Sequence, residues 1–185
     1  LTETSVRCIR LEYEGDVAEM NVKALTAAAL TGFLRPLLQT VNMVSAPVLA
    51  RERGIQVEDV RREQQGVYEN YIRLTVITER QERSVAGTVF SDGKPRIIQV
   101  KGINMEAELG SHMLYITNED KPGFIGHLGM VLGDSGVNIA TFNLGRTGPG
   151  EDAICLVEVD GDVPASVLDA INRLEHVKQV KSLVF

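Results

Sequence analysis

Met113-Leu-Tyr-Ile-Thr-Asn-Glu-Asp-Lys-Pro-Gly-Phe-Ile-Gly-His-Leu-Gly-Met-Val-Leu132 changes its period halfway along. Met113 to Thr117 is a short apolar run that reads as a strand. After the polar loop, Phe124, Ile125, Leu128, Val131 and Leu132 fall at three- and four-residue steps. They predict a helix over 122–132, with Pro122 at the first helical position, where a missing N–H costs nothing. Downstream, 137–144 and 153–159 read as strands joined through Arg146-Thr-Gly-Pro-Gly150, 164–174 as a helix opened by Pro164, and 177–184 as a last strand. The order βαββαβ predicts a ferredoxin-like domain, a four-stranded antiparallel sheet with two helices on one face. The other face is expected to stay uncovered, and a small domain of that kind pairs with a second copy.

Upstream of Met113 the pattern differs. Alternation over 5–13 predicts a strand, and helical spacing of Ala24, Leu25, Ala28, Phe33 and Leu37 predicts a helix within 16–39 that Pro36 kinks or ends. A second helix is expected over 46–53, with Pro47 in its first turn and Gly54 just beyond it, and a short third one over 58–64. Strands over 71–77 and 83–90 follow, then the turn Ser91-Asp-Gly-Lys94 into a strand over 95–100. The whole chain is therefore α+β. Gly110-Ser-His112 marks a boundary between a first domain over 1–110 and a second over 111–185.

The chain has 185 residues, 44% of them hydrophobic and 24% charged, which excludes disorder and collagen-like structure. No apolar run is long enough to span a bilayer, and no signal peptide is read in the polar Leu1-Thr-Glu-Thr4. A start at Leu1 points to a piece of a longer chain. Net charge is −6, of which residues 111–185 carry −5 (5 Lys/Arg against 10 Asp/Glu), so no basic stripe is available for nucleic acid. Cys8 and Cys155 read as small buried thiols in a reducing, cytoplasmic compartment.

Free N–H groups at the helix start near Pro122 and Gly123 would suit a carboxylate, and Asp120 beside them could accept from an ammonium group. Together they suit a zwitterion such as an amino acid. The plainer alternative is that Asn118 and Asp120 only cap the helix. Asn138, just past Gly136, could hold its own turn or, in a side-by-side dimer, face the Asn118–Asp120 loop of a neighbour.

On Asn118, Asp120, Pro122, Gly123, Gly136, Val137, Asn138 and Ile139, residues 113–185 resemble an ACT domain, a module that binds amino acids at dimer interfaces. Val41-Asn-Met-Val-Ser-Ala-Pro-Val-Leu-Ala-Arg-Glu-Arg-Gly-Ile55, Ser84 to Val89, Ile97 to Val100 and Gly102-Ile-Asn104 resemble the intervening domain of the long-form D-3-phosphoglycerate dehydrogenases. That resemblance implies a share in an NAD-dependent enzyme that oxidises 3-phosphoglycerate at the first step of serine biosynthesis. It also implies feedback by L-serine bound at Asn118, Asp120, Pro122, Gly123 and Asn138, self-association, and catalytic domains elsewhere in the polypeptide. Asn118 departs from the family, which places His or Tyr there. An anion site is implied as well at Arg96, to which Lys94 and Lys101 could add, although Glu108 stands where a second Arg is expected; the plainer alternative for all three is a solvated strand face.

Within these residues no Gly-x-Gly-x-x-Gly follows a strand, and no catalytic or metal-ligand spacing is read around His112, His127 and His176. The chain alone is expected to hold no NAD or metal and to catalyse nothing. Two other readings stay open: the regulatory part of an iron–sulfur L-serine dehydratase, which has a similar pair of domains, and a free-standing amino-acid sensor.

Overall fold

The computed structural model describes residues 5–63 and 66–185. The polar residues 1–4, in which no signal peptide is read, and Gln64 of the expected third helix lie outside them. The chain divides into two compact units, Leu1–Lys94 and Pro95–Phe185.

In the first unit, β1 (Val6–Gly15) leads through a 3-10 turn (Asp16–Glu19) into α1 (Lys23–Leu34), which stops before Pro36. Helix α2 (Ala46–Glu52) follows, with Pro47 in its first turn and Gly54 past its end. Strands β2 (Gln56–Arg62), β3 (Asn70–Thr78) and β4 (Glu82–Val89) complete it, in the spatial order β2-β1-β3-β4. Alternation along β1 sends Ile9 into a core with Leu30, Leu34, Ala46 and Ala50, and sends Leu11 and Tyr13 against Ala18 and Val22. The intervening residues carry charge. Arg10 pairs with Glu58 at 2.9 Å, Glu12 with Arg62 at 2.7 Å, and Glu14 accepts from the Tyr71 hydroxyl at 2.7 Å.

The third helix expected over 58–64 is instead strand β2, parallel to β1. Arg10 stands directly opposite Glu58 in that ladder, and Val57 packs against the Ile9 core. Cross-strand pairing and burial outweigh the local helical reading.

The second unit opens with a hairpin, β5 (Pro95–Val100) and β6 (Ile103–Glu108), closed by Lys101 and Gly102, both at positive φ (50° and 80°). The expected βαββαβ order then appears as β7 (His112–Glu119), α3 (Phe124–Asp134), β8 (Ile139–Arg146), β9 (Asp152–Val159), α4 (Ala165–Asn172) and β10 (Val177–Val184). The sheet runs β10-β7-β9-β8, all antiparallel. Leu114, Ile116, Cys155 and Val157 face α3 and α4 through Phe124, Leu128, Leu132, Val167 and Ile171. Each fully buried aliphatic side chain of this kind stabilises the fold by roughly 1.5–3 kcal/mol.

The other sheet face is not open, contrary to the expectation. Met113, Tyr115, Ile154 and Leu156 bury themselves against Ile103, Met105 and Ala107 of the β5–β6 hairpin. The hairpin comes close at Gly145, where a Cβ would overlap the Asn104 carbonyl oxygen and the Ile103 side chain. Only glycine fits there. The two thiols are free and buried, as expected. No described helix is long and apolar enough to cross a membrane.

Candidate functional site

The polar loop between β7 and α3 meets the β8–β9 connection at one end of the second sheet. The Asp120 backbone N–H donates to the Glu151 carbonyl at 2.7 Å and fixes the loop there. Asn118 ends the helix-facing side of β7 and is only 1% exposed. Its Nδ2 donates to the Glu119 carbonyl at 2.8 Å, and its Oδ1 lies 3.8 Å from the Cys155 Sγ. Burial, with a smaller push from the Asp120 charge, raises the Cys155 thiol to about 12, so it stays protonated and can donate.

Asp120 faces outward. Its Oδ2 accepts from Arg146 Nη1 at 2.6 Å. That bond first, then the guanidinium charge, the Gly150 amide and Lys121, hold its carboxyl below the usual range against partial desolvation. Neither Asn118 nor Asp120 caps α3, so the plainer alternative fails. Gly123 takes the N-cap position at φ 93°, and α3 begins at Phe124. Pro122 therefore stands two residues before the helix, not at its first position. No side chain caps the first turn of α3, and the Phe124 N–H reaches the Lys121 carbonyl at 3.5 Å.

Asn138 lies beyond the other end of α3. The helix closes with Gly136 at φ 71°, its N–H on the Gly133 carbonyl and the Val137 N–H on the Leu132 carbonyl. Those two bonds form a Schellman cap. Asn138 Nδ2 then donates to Asp160 Oδ2 at 2.7 Å. A helix as long as α3 spans roughly 16 Å, so one chain does not bring Asn138 to the Asn118–Asp120 loop. Strand β8, an edge of the sheet, starts beside Asn138 and ends at Arg146.

Arg146 is the residue that sequence reasoning missed. It entered only as the start of a connecting loop, and its pairing with Asp120 depends on a strand end meeting a loop 26 positions away. Carboxylates approach two of the histidines. His112 Nδ1 is 3.1 Å from Asp162, and His176 lies between Glu119 and Glu175 at 3.5 and 3.4 Å. Short turns between elements bring those groups together. His127 is exposed on α3.

Of the basic residues named for an anion, Arg96 stands opposite Glu108 across the hairpin and pairs with it at 2.5 Å. Lys101 Nζ sits 5.5 Å above the Tyr115 ring. Lys94 ends the first unit, its amide on Asp92 Oδ1.

Against known families, residues 1–101 match the model described as the D-3-phosphoglycerate dehydrogenase intervening domain, and residues 112–176 match the ACT domain. The chain belongs to the D-3-phosphoglycerate dehydrogenase intervening-domain family. D-3-phosphoglycerate dehydrogenases of Bacillus subtilis and Methanocaldococcus jannaschii are each 32% identical over 177 residues, 95% of this chain and 34% and 33% of theirs. That of Archaeoglobus fulgidus is 32% identical over 176 residues. The chain thus spans about a third of the length of the curated relatives it matches. A solved ACT domain from the GTP pyrophosphokinase of Chlorobium tepidum aligns with 39% of this chain and 95% of its own, at 20% identity and a TM-score of 0.34. In this intervening–ACT chain, the loop bearing Asp120 and the strand bearing Arg146 both belong to the ACT domain.

Proposed function

We propose that the chain is the regulatory region of a D-3-phosphoglycerate dehydrogenase, with an intervening domain over 1–110 and an ACT domain over 111–185. In that reading the whole polypeptide oxidises 3-phosphoglycerate with NAD at domains outside these residues, and L-serine is its feedback effector. The observation that carries it is the succession of both family matches in one chain, whose relatives over 95% of its length bear the dehydrogenase name. Those names favour the dehydrogenase over the iron–sulfur dehydratase.

The effector site is assembled from two copies. Antiparallel pairing of two β8 edges about a two-fold axis near Phe142 would set Asn138 of one copy opposite Arg146 of the other, beside the Asn118–Gly123 loop. A serine molecule enclosed there favours the paired arrangement, and the difference in its affinity for two arrangements is what the catalytic portion would feel.

Calorimetric titration with L-serine, alongside solution scattering, tests this reading. Serine heat from a dimer or higher oligomer is expected. Asn138→Ala is expected to abolish that heat without changing the melting curve, because its bond to Asp160 is exposed. Monomers with or without serine would overturn the site.

A further inference from the structure

Asp120 and Arg146 make a single bond, not a fork. Arg146 uses Nη1 alone, and its side chain is 51% exposed. A guanidinium has five N–H donors in a fixed plane, so the rest of that fork is turned to solvent beside an ionised carboxylate. Asp120 keeps 20% of its side chain exposed at the same place. Asn118, two residues away, has its amide engaged inside the domain on both ends. An ammonium and a carboxylate fixed edge to edge on one small molecule match that exposed pair charge for charge. Each charged group of the molecule would keep the opposite charge of the protein within hydrogen-bond reach, and the Asp120–Arg146 bond need not break.

We infer that Asp120 and Arg146 act together as the zwitterion reader of this domain, Arg146 taking the α-carboxylate and Asp120 the α-ammonium of an amino acid. Asn118 shapes the loop and does not touch the ligand. The inference rests on the amino-acid-binding reading above and adds to it the residue that fixes ligand class. The intact pair demands both charges on neighbouring atoms.

The test is titration of the 185-residue chain with L-serine, ethanolamine (no carboxylate) and D-glycerate (no ammonium), repeated on Arg146→Gln and Asp120→Asn. The wild-type chain should bind serine at least ~10-fold more tightly than either analogue. Arg146→Gln should lower serine affinity to the level of ethanolamine while leaving ethanolamine as it was. Asp120→Asn should do the same relative to glycerate. An analogue too weak to measure on the wild type counts with the first result, since the missing group is then indispensable. Melting curves of both variants should stay close to that of the wild type, because an ion pair at the water boundary contributes little to stability. A variant that melts earlier is replaced by Arg146→Lys, which keeps the charge but not the fork and should recover part of the affinity. Serine affinity within about twofold of wild type in Arg146→Gln, or ethanolamine binding as tightly as serine, overturns the inference and leaves the effector reading standing. A wild-type chain that binds no amino acid removes both.

Discussion

Asn118 and Asp120 stand two positions apart and live in different surroundings, one walled in against Cys155 and the other at the water boundary. Removing the Asn118 amide strands the Glu119 carbonyl and opens a hole. Asn118→Ala should therefore cost about 1–3 kcal/mol, seen as a lower denaturant midpoint. Asp120 answers to pH instead. Its folded carboxyl holds a proton less tightly than the unfolded chain's, so its pair with Arg146 stabilises fully above about pH 4. That contribution drains away as pH falls through the lowered folded value. Carbon-detected NMR of the Asp120 carboxyl should show a midpoint below an ordinary aspartate, and Arg146→Gln should move it back up. The acidic loop was readable from residue types alone, whereas Arg146 was not, since its partner is fixed by a strand ending far away in sequence.

Helix α3 shows what an element owes to its last residues. Gly136 holds its positive φ with open space where a Cβ would stand, so any cost of adding one is purely conformational. Gly136→Ala should lower stability by about 1–2 kcal/mol, measured by thermal or chemical melting, with serine affinity little changed. The periodic elements were plain in the sequence: β1, α2 and all six elements of the ACT domain are where the spacing of apolar residues puts them, within a few residues. The misses share a cause. Strand β2 depends on Arg10 and Val57 meeting partners on other strands, and the start of α3 depends on the φ of Gly123, which residue types do not reveal.

At the scale of the molecule, hydrophobic period says that a sheet has two apolar faces but not what covers the second. Met113, Tyr115, Ile154 and Leu156 alternate with the helix-facing residues, and the hairpin that covers them precedes the boundary glycine in sequence. Gly145→Ala should force that hairpin off its seat, costing about 1–3 kcal/mol because backbone as well as side chain must move. Family kinship and packing draw different lines here, since the intervening-domain match runs to residue 101 while β5 packs in the second unit. For anyone cutting the gene, the scissors belong ahead of Pro95. A fragment trimmed to 112–185 would bare an oily slab and clump, whereas 95–185 should elute as a well-behaved species on gel filtration.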